Sequence, residues 1–534
     1  MAIPPPSGRP LLDRRTSRRE LLSAGAWLGA ATIGGAALGT TSSASAASPP
    51  AVPASLRDIE HVVMLMMENR SFDHYFGTMS GVRGFSDPDA LRQSDGMPVF
   101  YQPDFDLVQN VTGHPYILPW HLDTKTMSAQ NAQELGPDWI LQHLSWNQGS
   151  MDGFVTSHRL GDDLFEYLSV PVTNYAPLTM GYFTEADIPF HRALADGFTI
   201  CDHYFSSVMS MTVPNRIMFW SGTINPEMKY GTKVVVDDDV NNGQLEWESY
   251  PERLQQAGID WYVYQEDDTL NDLICFRGLA DPSTDAFRRA NSIIPTPANQ
   301  PFGPALAAKL RQDVVSGNLP QVSWIIPAFD NCEHPQGAPG YGAYFISQVL
   351  DALMADPKVW AKTAFILNYD ENDGFFDHVT PPVPPPGTPG EYLSPLATVQ
   401  SVGKADGFDN ISLSANVGLG FRVPMLVISP FSRGGLCSSE VLDHTSVLQF
   451  LETRFGVEVP YVSQWRRDTV GDLTSAFNFA GTNDLSLPEL PNAEALAVEA
   501  IWQRDHLPAP TPPKVQSMPV QDPGPPRPRP SGPV

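Results

Sequence analysis

The chain has 534 residues, 42% hydrophobic and 17% charged, enough apolar material for a large buried core. Its formal net charge of −27 excludes a nucleic-acid binder, whose phosphate partner demands stripes of lysine and arginine. It also excludes tight, purely electrostatic adhesion to anionic lipid, so any membrane-surface contact is expected to be transient or apolar.

In chain order, Arg14–Leu22 (RRTSRRELL) is followed by an uncharged Ala/Gly-rich run from Ser23 to Gly39 and by the small-x-small site Ala44-Ser45-Ala46. This pattern predicts a twin-arginine signal peptide over residues 1–46, and a product that is secreted or placed in the cell envelope. The run is too short and too mildly apolar for a membrane span of about 20 strongly apolar residues. Five apolar runs follow that read as strands buried on both faces: His61–Met67, Ile259–Gln265, Gln321–Ile326, Thr363–Tyr369 and Val423–Ser429. Between them lie helical patterns at Glu248–Ala257, with Ser249 as N-cap and Gly258 as stop, at Tyr344–Met354 and at Thr445–Phe455. Strands alternating with helices predict an α/β fold: a mainly parallel central sheet sandwiched by helices. Residues 80–180 are irregular and rich in polar and aromatic residues, as in a cap or insertion beside the sheet. The proline-laden tail of residues 507–534 predicts an extended or disordered coil. The four cysteines, Cys201, Cys275, Cys332 and Cys437, match no zinc spacing and are expected to be buried or paired.

No nucleophile elbow, zinc-protease helix, P-loop or dinucleotide fingerprint is present, which disfavours a serine esterase or a nucleotide-driven enzyme. Two strands end in oxygen donors: Glu68 and Asn69 follow the first, Asp370 and Glu371 the fourth. Ligands gather at the carboxyl ends of strands in open α/β sheets, and clustered carboxylates there call for a positive partner. A divalent metal ion with hard oxygen ligands is the natural candidate; the plainer alternative is a turn cap and two solvated acids. In Ser210–Thr223 (SMTVPNRIMFWSGT), Pro214 suits a first helical turn, so Thr212 falls at a helix N-terminus, where free N–H groups attract phosphate. A threonine there is ordinarily a cap, but a nearby metal would activate it as a nucleophile. His334 (CEHP) and His143 (HLSWN) are candidates to bind the phosphate or protonate a leaving oxygen, with His378 and His444 behind them.

Glu60–Gly77 (EHVVMLMMENRSFDHYFG), Phe198–Thr223, Asn368–Pro382 (NYDENDGFFDHVTPP), Gly420–Gly434 and Asp443–Gly456 resemble one family in order. It is the bacterial phosphoesterase family of phospholipases C and certain acid phosphatases. The likeness runs from about Leu56 to Phe479, within an expected catalytic domain at 56–480, and resembles the single-domain mycobacterial phospholipases C most. The resemblance implies an alkaline-phosphatase/sulfatase-like fold and an exported phospholipase C-type phosphodiesterase acting on phosphatidylcholine-like phospholipids. It also implies Thr212 as nucleophile, Glu68, Asn69, Asp370 and Glu371 at a metal site, and His334 and, less closely matched, His143 near the phosphate. The alternatives are an acid phosphatase on the same scaffold and a non-catalytic surface protein that kept the fold. Asp373, in place of the usual glycine of D-E-x-G-G-F, departs from the family pattern, as do Ser210-Met211 and His203.

Overall fold

A computed structural model describes residues 55–105, 112–159, 176–296, 302–394, 416–480 and 484–532. The signal peptide expected at residues 1–46 lies outside them. Eight strands form the main sheet: β1 (His61–Met67), β2 (Thr199–Cys201), β3 (Trp261–Gln265), β4 (Ser292–Ile293), β5 (Val322–Ile326), β6 (Thr363–Tyr369), β7 (Met425–Ile428) and β8 (Cys437–Ser438). Their order is β8-β2-β7-β6-β1-β5-β3-β4. All neighbours pair in parallel except β7, which is antiparallel to both β6 and β2. β6 is buried at every position and β1 at all but its first. Helices cover both faces of the sheet, which is why these strands are continuously apolar and do not alternate.

The expected helices form. Tyr250–Gln256 starts at Ser249, whose N–H donates to Glu252 (2.7 Å), and stops before Gly258 at φ 74°. Pro339–Leu353 begins five residues before the sequence pattern suggests. Gly340 and Gly342 hide the start: a Cβ on the first would meet the Leu496 carbonyl at 2.7 Å, and on the second the Glu333 side chain. Gly340 lets the helix pack directly against the helix Ala493–His506, and Gly342 leaves room for the Glu333 side chain.

Residues 80–180 hold the ladder Gln102–Pro103 with Tyr116–Ile117 and the helix Trp139–Trp146, and their Trp120–His121 pairs with Gly181–Tyr182 just beyond. This region bonds to the loop after β6: Leu135 N–H donates to Asp373 (3.0 Å) and Gln142 to Asn372 (2.8 Å). The proline-rich tail, expected as an extended or disordered coil, forms no helix among the described residues and is docked. Ser128 N–H donates to the Pro508 carbonyl (2.8 Å), Leu118 N–H to Gln516 (2.7 Å), Asp522 N–H to the Thr78 carbonyl (2.7 Å) and Cys437 N–H to the Pro528 carbonyl (3.0 Å). Gly532 N–H reaches the Phe477 carbonyl (3.0 Å). Prolines lose little conformational entropy on ordering, and Gln516, Gln521, Asp522 and Arg527 supply side-chain bonds. The four cysteines are buried and unpaired with one another. No helix among the described residues is long and apolar enough to cross a membrane.

Candidate active site

The register of β1 against β6 places Met67 opposite Tyr369, so the two strands end level. Glu68 and Asp370 are the next residues of each, and adjacent parallel strands carry them side by side. Asn69, at φ 58°, turns the chain so that its N–H meets Asp370 (3.1 Å) and its side-chain amide meets Asp373 (3.0 Å). Glu371 accepts the N–H of Asp373. On the other flank of β1, Glu68 N–H donates to the Cys332 carbonyl (2.8 Å), which brings the loop after β5, with His334, to the same end of the sheet.

The helix Thr212–Ser221 supplies the third component, and Thr212 is its first residue. Asn215 fixes the preceding loop by donating to the carbonyls of Val208 (3.1 Å) and Ser210 (2.9 Å) while accepting the Val208 N–H (2.8 Å). Arg216, one turn after Thr212 and on the same helix face, donates to Glu68 (3.0 Å) and Asp370 (3.1 Å). The N–H of Val213, which the sequence leaves free for a phosphate, is occupied by Asp238 (2.9 Å).

Glu68, Asp370 and Glu371 are all buried, and Arg216 forms ion pairs with the first two. Burial pushes the pKa of Glu68 up to about 8, against the opposing pull of Arg216. Burial, with Asp370 and Asp373 adding repulsion, drives Glu371 well above the carboxylate range. Glu371 Oε1 and Asn69 Oδ1 are buried without a hydrogen-bond partner. Open oxygen lone pairs and surplus negative charge fit a hard divalent cation.

The two leading histidines are placed differently. His334 is 6% exposed and its Nδ1 has no hydrogen-bond partner. Burial and then Arg70 depress its pKa to about 3, so near neutral pH it is a neutral imidazole. His143 has both ring nitrogens against carbonyls, those of Trp139 (2.8 Å) and Asn416 (3.0 Å), leaving neither open to a phosphate. His378 pairs with Asp73 (2.6 Å) and Asp87 (3.2 Å), and His444 meets the Tyr369 carbonyl (3.1 Å).

Sequence reasoning missed four contributors. Arg216 was legible, because it lies four residues after Thr212 on one helix. Asp238 comes from a loop and Asp272 opens the short 3-10 helix Asp272–Cys275, and neither gave a signal; burial raises their pKa values to about 7 and about 6, and Asp272 feels Arg216 and Asp370. Arg70 is fully buried beside His334, where it donates to the Glu333 carbonyl (2.7 Å) and the His334 carbonyl (3.4 Å).

The sequence matches the Phosphoesterase family over residues 59–458. It is 39% identical over 503 residues to the hemolytic phospholipase C of Pseudomonas aeruginosa, a match covering 88% of this chain and 63% of that protein. The chain thus spans less than two thirds of the length of that relative. It is 39% identical over 501 residues to phospholipase C B of Mycobacterium tuberculosis, covering 90% of this chain and 91% of that one. Among solved structures, a protein in the alkaline phosphatase superfamily from Vibrio parahaemolyticus matches over 54% of this chain and 64% of its own, at 12% identity and a TM-score of 0.32.

Proposed function

Because the chain belongs to the Phosphoesterase family, we propose that it is a phospholipase C-type phosphodiesterase that cleaves phosphatidylcholine-like lipids into diacylglycerol and a phosphorylated headgroup. The names of the relatives support the substrate class. The observation that carries the chemistry is the helix Thr212–Ser221, which presents a hydroxyl one turn before an arginine bonded to the acids of two strand ends.

Glu68, Asn69, Asp370 and Glu371 would hold a divalent cation, whose charge lowers the pKa of a nearby hydroxyl and offsets that of a phosphate. Thr212 Oγ1 forms the bond to phosphorus as the P–O bond to glycerol breaks, and the diacylglycerol oxygen takes up a proton. Water then cleaves the phosphothreonine, which releases the headgroup phosphate and restores the hydroxyl. Asn215 holds the loop that delivers Thr212, and Arg216 fixes the spacing of Glu68 and Asp370. The signal pattern of residues 1–46 supports export, to the medium or the cell envelope. The net charge of −27 supports a brief, apolar encounter with the lipid surface.

Thr212→Ala is the test, assayed on p-nitrophenyl phosphorylcholine and p-nitrophenyl phosphate. Turnover should fall by at least about 10⁴-fold with an unchanged circular dichroism spectrum. Retained turnover would refute the nucleophile. If the wild type hydrolyses the monoester much faster than the diester, the acid phosphatase reading replaces this one.

A further inference from the structure

Beside the carboxylates of the two strand ends, a second set of donors converges. One ligand atom each from Glu134, His334 and Asp373 lies within 4.8 Å of the other two. We propose that these three residues form a second divalent-cation site of mixed nitrogen and oxygen donors, the class that zinc takes. The proposal rests on reading Glu68, Asn69, Asp370 and Glu371 as the first site.

The histidine is the telling member. A buried imidazole without a hydrogen bond costs free energy, and such a ring is ordinarily satisfied or replaced by an apolar side chain. Here His334 Nδ1 is buried and unpartnered, although the surroundings hold the residue firmly. Glu333 is in the left-handed region at φ 68°, a strained conformation that persists only when neighbours over-determine it. They do so here. Arg70 grips the carbonyls of Glu333 and His334, while the Glu333 carboxylate accepts from the hydroxyls of Tyr75 and Tyr369 (2.7 Å each) and meets His191 (2.8 Å). The turn is locked from both sides; the ring it carries packs against Phe329 (centroids 4.9 Å), and its Nδ1 is left without a hydrogen-bond partner.

Asp373 is as tightly placed. Its backbone is left-handed at φ 64°, and its two oxygens accept from Asn69 (3.0 Å) and the Leu135 N–H (3.0 Å). Each oxygen keeps a lone pair for another partner. Glu134 differs: it is exposed, next to Leu135, and reaches in from the solvent side. Two buried ligands and one exposed one make a site with an entry path. Tetrahedral zinc needs ligand atoms roughly 3.4 Å apart, from metal–ligand distances of about 2.1 Å, and a rotamer change of the exposed Glu134 side chain would supply that closure. Three protein ligands leave one position open. Asn69 joins the two sites, because its amide nitrogen bonds Asp373 while its unpartnered oxygen belongs to the first set.

The test is metal content by mass spectrometry on the full chain, dialysed against micromolar zinc, for wild type, Glu134→Gln, Asp373→Asn and Glu371→Gln. Wild type should hold two equivalents, and Glu134→Gln and Asp373→Asn one each. Glu134 is exposed, so its variant should fold normally, as circular dichroism would show. Cobalt-loaded wild type should also lose one set of visible d–d bands on Glu134→Gln. One equivalent in wild type, kept in Glu134→Gln and lost in Glu371→Gln, would overturn the second site and leave the first standing. Two equivalents in Glu134→Gln and Asp373→Asn alike would also overturn it. No bound metal in wild type would overturn both.

Discussion

Removing divalent cations should make the stability of this chain fall as pH rises. Glu68, Asp370 and Glu371 all have folded-state pKa values raised by burial. A carboxyl raised in this way contributes stability that is complete below its unfolded value and disappears as pH climbs to the folded one. For Glu68 that window runs from 4.5 to about 8, which corresponds to on the order of 5 kcal/mol at about 1.4 kcal/mol per tenfold change in proton affinity. The effect of Arg216 is already contained in that value, and Glu371 adds to it with the same sign. A bound cation favours the ionised acids and flattens the dependence. The assay is urea unfolding at pH 5, 6.5 and 8, with protein stripped by a chelator and with divalent metal restored. The histidines with lowered pKa, such as His143 and His444 at about 4, weaken the fold as pH drops below 6.5, but they do so in both preparations and cancel in the difference. The gap between loaded and stripped protein should widen by several kcal/mol from pH 5 to pH 8. A gap of equal size at both pH values would refute the reasoning.

Arg216→Gln removes the guanidinium bonded to Glu68 and Asp370 and leaves two buried acids without it, a loss of about 3–5 kcal/mol. Thermal unfolding should show the loss and its partial recovery on adding a divalent cation; an unchanged midpoint would contradict the compensating role. His143→Gln should cost about 1–3 kcal/mol through its contacts with the Trp139 and Asn416 carbonyls, with turnover of the folded fraction little changed. Abolished turnover at full stability would instead give this histidine a chemical role. Truncation after Leu507 removes the docked tail and uncovers the Cys437 N–H, so the unfolding midpoint should fall by several degrees; an unaltered midpoint would show that the tail's contacts add nothing.

The centre of the fold was legible because β1, β3, β5, β6 and β7 are buried on both faces, and burial leaves unbroken apolar runs in the sequence. The edge strands β4 and β8, of two residues each, and the three-residue β2 were not legible, since so few residues carry no period. Oxygen donors directly after Met67 and Tyr369 pointed to the site, because a parallel pair in register must bring its ends together. Charge pairing across the fold was hidden. Asp238 lies 25 residues from the Val213 N–H it occupies, and Glu134 lies 200 residues from His334, separations that only tertiary contacts close. His334 and His143 looked alike as letters. One is held by its backbone with its Nδ1 unsatisfied, and the other has both nitrogens closed in by carbonyls, one of which accepts its single N–H.

The docked tail bears on how the molecule comes to be made. Pro528 completes the bonding of the sheet margin at Cys437, and Asp522 and Arg527 tie down Thr78 and Ser80, residues that leave the ribosome some 440 positions earlier. A nascent chain therefore holds these early segments without their partners until residues 522–528 have emerged. Sequence-distant contacts of this kind slow folding. A chain without these contacts would show an open strand margin at Cys437 to chaperones and proteases.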